Sequence, residues 1–179
     1  MLNPHNTGLI IIDVQDKLVP AMHASDALLN NIQALVKGCK ILNLPIIWLE
    51  QNPQGLGSTV TELSELLKTQ QAIVKHSFNG CDNQNVIDAI KATGKSQWLV
   101  CGIEAHICVY QTCRGLLAEQ FEVEVVQDCI SSRSQDDIAL ALQKLQTNGI
   151  GITNVEMCLF ELLKDSRKQE FKQILALIK

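Results

Sequence analysis

The chain alternates short, continuous runs of apolar residues with longer segments whose apolar residues recur at helical spacing. A short apolar run bounded by turn residues is typical of a strand that is buried on both faces, whereas spacings of three and four residues indicate an amphipathic helix. A chain that repeats strand and helix builds a parallel sheet, and its crossovers cover both faces of that sheet with helices. We therefore predict an α/β fold with three α/β/α layers and a six-stranded, mainly parallel sheet.

The predicted elements are bounded by recognisable start and stop signals. Ser25 is the expected N-cap of the first helix, and Thr59 with Glu62 resembles a capping box that starts the second. Proline, two glycines and polar residues predict a loop over residues 51–58. No repeat or linker divides the chain, so residues 1–179 are expected to form a single domain. The predicted strands cover residues 8–13, 46–50, 72–75, 97–103, 123–128 and 151–154, and the predicted helices cover residues 25–43, 59–67, 85–94, 109–119, 135–149, 156–163 and 167–178.

Composition excludes several classes of partner. Apolar residues make up 46% of the 179 residues and charged residues 19%, which is typical of a well-packed globular protein with a surface suited to self-association. The net charge is −4 and the longest basic run is Arg167-Lys168, so nucleic acid is not an expected partner. The apolar run at residues 8–12 is too short to span a membrane and lacks the flanks of a secretory signal. These features predict a cytoplasmic protein without membrane contact.

Cysteine and histidine spacing argues against a metal site and against a disulfide framework. The seven cysteines form an odd number and include no C-x-x-C pair, and the four histidines are scattered. Most of these thiols are expected to be small buried hydrophobes. No metal and no cofactor is therefore expected. The cysteines are Cys39, Cys81, Cys101, Cys108, Cys113, Cys129 and Cys158.

Three chemically active side chains follow three of the predicted strands. Asp13 ends the first strand, Lys75 ends the third, and Cys108 lies just after the fourth, at the start of a helix. Ligands of open parallel sheets bind outside the carboxyl ends of the strands, where these residues would meet. A carboxylate can take the thiol proton, and an ammonium group together with the helix N-terminus should lower the thiol pKa. The thiolate would attack a carbonyl carbon, backbone N–H groups would stabilise the oxyanion, and water activated by Asp13 would release the acid.

Each of these residues also has an ordinary structural interpretation. Taken alone, an acid or a lysine at a strand end, or a cysteine in a helix, is more often packing or solvated surface than a catalytic group. His106 could be a catalytic base, but a role in the turn or pocket wall is favoured. Phe78 is the best pocket-wall candidate, and Gln15 could orient the Asp13 carboxylate or line the pocket. Asp128 is expected to end the fifth strand and to satisfy loop N–H groups.

Three motifs carry a resemblance to a known family. The segments "LIIIDVQ", "VKHSF" and "GIEAHICV", in this order and spacing, resemble the isochorismatase-like cysteine hydrolase superfamily, which includes nicotinamidases and N-carbamoylsarcosine amidohydrolases. The segment "LEQNPQGLGSTVTEL" is most similar to the small isochorismatase-domain subgroup, whose substrates are undefined. The resemblance spans nearly the whole chain. It implies a Rossmann-like strand order and assembly into a homo-oligomer.

The resemblance also implies roles for individual residues. Asp13 would be the proton acceptor, Lys75 the charge stabiliser and Cys108 the nucleophile. A non-proline cis peptide bond would join Ile103 to Glu104, and the backbone N–H groups of Glu104 and Cys108 would form the oxyanion hole. The role of the Glu104 side chain stays open.

Two departures from the family narrow the implied activity. Nicotinamidases bind a metal through an acid-x-His pattern after the second strand, whereas this chain has Glu50-Gln51-Asn52 and no nearby histidine. True isochorismatases lack the nucleophilic cysteine that is present here as Cys108. The expected function is therefore a metal-independent cysteine hydrolase acting on a small-molecule amide, carbamoyl or related C–N substrate. The alternative is a non-hydrolytic binding or redox-sensing protein that keeps the fold and a reactive thiol, and a nucleotide-binding module is disfavoured because the glycine-rich phosphate loops are missing.

Overall fold

The structure is a computed structural model that describes all 179 residues. Its strands are β1 (Thr7–Ile12), β2 (Ile46–Gln51), β3 (Ile73–Lys75), β4 (Gln97–Ile103), β5 (Glu122–Ser131) and β6 (Gly151–Thr153). Its α-helices are α1 (Ser25–Ile41), α2 (Pro53–Leu56), α3 (Thr61–Leu67), α4 (Gln84–Ala92), α5 (Tyr110–Ala118), α6 (Gln135–Thr147), α7 (Val155–Leu163) and α8 (Phe171–Ile178). Short 3-10 turns lie at Val19–Ala21 and Gly80–Asp82, and a π-helical turn covers Ala105–Val109.

The six strands form one sheet in the order β3-β2-β1-β4-β5-β6. Every neighbouring pair is parallel, so the sheet is wholly rather than mainly parallel. The chain winds outward from β1 through β2 to β3, returns to place β4 beside β1, and then winds outward on the other side. The carboxyl ends of β1 and β4 are therefore the topological switch point, where open α/β sheets form their binding crevice. The predicted fold class and the Rossmann-like strand order are confirmed.

Two apolar layers cover the sheet. Side chains from α1, α3, α7 and α8 pack on one face, and side chains from α4, α5 and α6 pack on the other. The central strands β1 and β4 are buried along their whole length because both of their faces are covered. Each large aliphatic side chain buried in this way contributes roughly 1.5 to 3 kcal/mol. No helix is long and apolar enough to cross a membrane.

One predicted N-cap and one predicted helix start are wrong. Helix α1 begins at Ser25, but its N-cap is Ala24 in the left-handed conformation, and no side chain caps it. Helix α3 begins at Thr61, because the Thr59 hydroxyl donates a 2.7 Å hydrogen bond to Glu50 Oε1 instead of capping the helix. Tertiary contacts with the preceding strand thus replace a local capping box. The predicted loop after β2 contains the single helical turn α2.

Two further element boundaries differ from the prediction, namely the end of β5 and the start of α8. This strand continues to Ser131, so Asp128 lies inside it rather than at its end. The Asp128 carboxylate accepts hydrogen bonds from the backbone N–H of Val155, at the start of α7. It therefore stabilises a helix N-terminus, where a negative charge is favourable. Helix α8 begins later than predicted, at Phe171.

The strands β1 and β4 approach each other closely at Gly102. This residue has φ +120°, and a Cβ atom placed there would lie 2.0 Å from the carbonyl oxygen of Ile12. Only glycine leaves room for the two backbones at this point. The close approach lies immediately before the cis peptide bond Ile103–Glu104.

Candidate active site

A buried ion pair stands at the carboxyl ends of the strands. Asp13 is the first residue beyond β1 and adopts the left-handed conformation with φ 54°. Lys75 ends β3, and its Nζ donates a 2.7 Å hydrogen bond to Asp13 Oδ2. Their side chains are 1% and 0% exposed, respectively. Because a buried charge is tolerated only when it is paired and hydrogen-bonded, the two side chains hold each other in place.

Gln51 connects the two strands that carry this pair. It ends β2, which lies between β1 and β3, and it stands opposite Lys75 in the sheet register. Its Oε1 accepts a 2.7 Å hydrogen bond from Lys75 Nζ, and the carbonyl of Ser77 accepts a third at 3.3 Å. All three N–H bonds of the ammonium group therefore have partners. The sequence motif alone links Gln51 only to the missing metal pattern. Its position at the end of the strand between Asp13 and Lys75 is the feature that could have predicted its contact with Lys75.

Cys108 lies in the π-helical turn that leads into α5, and it is 7% exposed. Burial, together with the negative charge of Asp13, raises the pKa of its thiol to about 12, although the positive charge of Lys75 opposes this rise. The predicted lowering of the thiol pKa is therefore wrong in the resting site. Desolvation and the nearby carboxylate outweigh the ammonium group, so the sulfur carries its proton at neutral pH.

The Asp13 carboxyl group has the properties of a proton acceptor. Burial raises its pKa above 3.8, and the positive charge of Lys75 and its hydrogen bond only partly oppose this. Oδ2 is occupied by Lys75, whereas Oδ1 accepts no well-formed hydrogen bond. The Cys108 thiol is close enough to affect the pKa of the carboxyl group without satisfying hydrogen-bond geometry. Asp13 is thus a stronger base than an ordinary carboxylate, and its Oδ1 has no hydrogen-bond partner.

The turn that carries Cys108 has its own hydrogen bonds. The carbonyl of Glu104 accepts from the backbone N–H groups of Ile107 and Val109. The Glu104 carboxylate forms an ion pair with Arg133, with Nε and Oε2 3.0 Å apart. His106 Nδ1 lies 2.8 Å from the hydroxyl oxygen of Ser132, so the histidine contacts the end of β5.

The three predicted pocket residues lie in different environments. Gln15 is fully buried, and its side chain bonds the backbone of Gln51 and Gly57, because β1 ends before Gln15 and its face is not continued. No hydrogen bond joins the Gln15 side chain to Asp13, and its place in the pocket wall stays a prediction. Phe78 follows Lys75 closely and is 56% exposed. His106 is partly buried in the nucleophile turn.

Glu50 occupies the position at which nicotinamidases have the acidic residue of their metal-binding pattern. Its Oε1 accepts hydrogen bonds of 2.7 Å from the backbone N–H and the hydroxyl of Thr59. The structure brings together no group of three or more His, Cys, Asp or Glu side chains that could hold a metal ion. Glu50 instead anchors the segment before α3.

A cleft of about 410 Å³ lies at the amino ends of β4, β5 and β6, away from Cys108. Its lining includes Trp98, Phe121 and Glu122, and none of these residues approaches the Asp13–Lys75 pair. This cleft is therefore separate from the candidate site. The convergence of the carboxylate, ammonium and thiol groups is stronger evidence, because buried titratable groups with shifted pKa values are concentrated at functional sites.

Comparisons with known proteins match one family model and several relatives over most of the chain. A family model described as the isochorismatase domain matches residues 7–157. "Isochorismatase domain-containing protein 2" of Danio rerio is 36% identical over 179 residues, covering 99% of this chain and 89% of the relative. A protein of Phytophthora sojae described as a "secreted isochorismatase effector" is 33% identical, covering 99% of this chain and 87% of the relative.

Solved structures with the same fold have different descriptions. A Caenorhabditis elegans structure described as MAR1 ribonuclease is 32% identical with a TM-score of 0.90, covering 99% of this chain and 91% of its own. YcaC from Pseudomonas aeruginosa, described with covalent acrylamide, is 27% identical with a TM-score of 0.93, covering 98% and 90%. The Escherichia coli YcaC product, described as an octameric hydrolase of unknown specificity, is 25% identical with a TM-score of 0.94, covering 99% and 88%.

Proposed function

The chain belongs to the isochorismatase family, and on this premise we propose that it is a metal-independent cysteine hydrolase that cleaves a small amide, carbamoyl or related C–N bond. The catalytic residues are Asp13, Lys75 and Cys108. The observation that carries the proposal is the fully buried Lys75 ammonium group, bonded to the Asp13 carboxylate beside the Cys108 thiol. Burying two charges is costly, and a chain that only needed stability could replace them with apolar side chains.

The first half of the reaction forms a covalent intermediate. Cys108 Sγ attacks the substrate carbonyl carbon while its proton passes to Asp13 Oδ1, the oxygen that accepts no well-formed hydrogen bond. Lys75 keeps the carboxylate oriented through Oδ2. The carbonyl oxygen becomes an oxyanion near the backbone N–H groups of Glu104 and Cys108. The C–N bond then breaks, the nitrogen leaves with the proton from Asp13, and the acyl group stays on sulfur as a thioester.

The second half of the reaction releases the acid. Asp13, again ionised, takes a proton from a water molecule that attacks the thioester carbonyl carbon. The C–S bond breaks and the sulfur regains its proton from Asp13. The same carboxylate therefore serves both steps, and its raised pKa makes it a better proton acceptor than an ordinary carboxylate.

The high thiol pKa is consistent with this sequence of steps. A thiol that holds its proton in the empty site is protected from indiscriminate oxidation or alkylation. Proton removal by Asp13 is then coupled to attack on a bound substrate. A covalent acrylamide is described for the Pseudomonas aeruginosa neighbour, which supports the use of an acrylamide probe here.

The test combines a substrate panel with trapping of the intermediate. Purified protein is incubated with primary amides, carbamates and ureas, and ammonia release is measured together with the mass of the Cys108 peptide. We expect ammonia release and an acyl adduct on Cys108 for at least one substrate class. Cys108→Ser should abolish both signals, whereas Cys81→Ser, which changes a partly buried thiol elsewhere, should retain them.

Two other outcomes would replace the proposal. Absence of turnover across the panel, with reversible sulfenate formation on Cys108, would favour the redox-sensing alternative. Cleavage of single-stranded RNA that disappears in Cys108→Ser would favour the activity described for the Caenorhabditis elegans neighbour. A net charge of −4 and the lack of a basic run argue against a polyanionic substrate.

Assembly into a homo-oligomer is part of the same proposal. The Escherichia coli neighbour is described as octameric, and this chain exposes large apolar side chains, among them Val74, Leu140 and Met157. A cytoplasmic location stays a prediction, because the Phytophthora sojae relative is described as secreted.

A further inference from the structure

Residues 132–133, just beyond β5, contact the nucleophile turn in two places. The Ser132 hydroxyl oxygen lies 2.8 Å from His106 Nδ1. Arg133 Nε donates a 3.0 Å hydrogen bond to Glu104 Oε2. Glu104 precedes the π-helical turn and His106 lies within it, so both contacts reach the segment that places Cys108.

The support behind these contacts is itself buried and hydrogen-bonded. Ser131 and Ser132 are almost completely buried. The Ser131 hydroxyl donates to the carbonyl oxygen of His23 at 2.7 Å, and the backbone N–H of His23 donates to the carbonyl oxygen of Ser132 at 2.8 Å. The end of β5 is therefore a fixed base for the nucleophile turn.

The negative charge of the Glu104 carboxylate disfavours the thiolate form of Cys108. The Glu104 side chain is 15% exposed, and its negative charge adds to that of Asp13 in raising the thiol pKa, while Lys75 opposes both. The Arg133 guanidinium forms the ion pair of Glu104 and is 63% exposed. It can therefore offset the Glu104 charge without a large desolvation cost.

We propose that Arg133 is a positioning residue for Cys108, which fixes Glu104 and offsets its charge so that the thiol releases its proton more readily to Asp13. Ser132 holds the same turn through His106. The role in turnover rests on the proposed hydrolase function. The effect on the thiol can be measured in the absence of any substrate.

The experiment is a double-mutant cycle that removes the charges of Glu104 and Arg133 singly and together, with the rate of Cys108 alkylation as the measurement. The rate of Cys108 modification by iodoacetamide is measured at a fixed, mildly alkaline pH with peptide-resolved mass spectrometry, which separates Cys108 from Cys81. Arg133→Met should slow the modification about 3- to 10-fold, since a shift of half to one pKa unit changes the thiolate fraction by that factor. Glu104→Gln should accelerate it by a similar factor, and the double variant E104Q/R133M should return to within about twofold of wild type.

Two control variants separate positioning from a general effect on folding. Arg167→Met removes an exposed ion pair with Asp165, remote from the site, and should leave the alkylation rate unchanged. Arg133→Lys should recover part of the rate. Equal rates for Arg133→Met and Arg167→Met, or a double variant as slow as Arg133→Met, would overturn the proposal. The predicted alkylation pattern without hydrolysis of any substrate would sustain the positioning role and contradict the hydrolase function instead.

Discussion

At the scale of single residues, the site balances its own charges. The charges of the Asp13 carboxylate and the Lys75 ammonium group neutralise each other. Gln51 and Ser77 accept hydrogen bonds from the other N–H groups of the ammonium group. The pair itself therefore has little net charge, although the negative charge of Asp13 affects the Cys108 thiol more than the positive charge of Lys75 does. Reactivity then depends on where the proton can go, and Asp13 Oδ1 is the available acceptor.

The pH dependence of turnover should report Asp13. The pKa of this carboxyl group is raised above 3.8, and kcat/KM should fall as the pH decreases through the raised value, because protonated Asp13 cannot accept the thiol proton. Because the thiol pKa is about 12, ionisation of Cys108 adds no second limb to the pH-rate profile on its acidic side. A pH-rate profile checks this. Asp13→Asn should remove the limb together with most of the activity, and a limb at or below the ordinary carboxyl range would contradict the assignment.

Removing Lys75 should cost stability as well as activity. Lys75→Met leaves Asp13 buried without a cation, and we expect a loss of about 3 to 5 kcal/mol in the free energy of unfolding measured with urea. The double variant D13N/K75M should recover part of this loss because no charge remains buried. Lys91→Met, which breaks an exposed ion pair with Glu119, should cost at most about 1 kcal/mol. Equal losses for the two lysine variants would show that the buried ion pair contributes no more to the free energy of unfolding than an exposed one.

Sequence patterns predict the proposed catalytic side chains but not their immediate partners. Asp13, Lys75 and Cys108 follow buried strands, and the topology of a parallel sheet brings such positions to one edge. Gln51 and Arg133 could not be assigned in the same way, because their contacts depend on strand register and on how far β5 continues. The thiol pKa was mispredicted because the degree of burial of Cys108 is a tertiary property that spacing does not encode.

At the scale of elements, the contact between β1 and β4 determines the geometry of the switch point. Both strands are apolar enough to be identified from sequence, and their pairing follows from the strand order. Helix boundaries were less predictable, since Thr59 bonds Glu50 instead of capping α3. Local signals therefore predict which elements exist, whereas a contact with β2 determines where α3 begins.

Gly102→Ala tests the close approach of these strands. A Cβ atom at this position would meet the Ile12 carbonyl oxygen, and the backbone has a positive φ. We expect a loss of about 3 kcal/mol or more in the free energy of unfolding, together with loss of Cys108 reactivity. Gly94→Ala is the matched control, since Gly94 also has a positive φ but no atom within 4 Å of its added Cβ, and should cost only about 1 kcal/mol. Similar losses would exclude the steric explanation.

At the scale of the whole molecule, the chain forms one sheet with two covered faces and exposes several apolar side chains. We expect light scattering coupled to size-exclusion chromatography to give a mass that is a multiple of 19.8 kDa. The physical reason is the gain from covering such side chains in a symmetric interface. A stable mass of one chain over the accessible concentration range would contradict this expectation.

The internal neutrality of the Asp13–Lys75 pair has a consequence for ligand design. An ionic group added to an inhibitor would find no unsatisfied counter-charge in the pair, because each side chain is already engaged by the other. Affinity at this centre should therefore be sought from an electrophilic warhead that captures the sulfur, with selectivity supplied by the shape of the attached group.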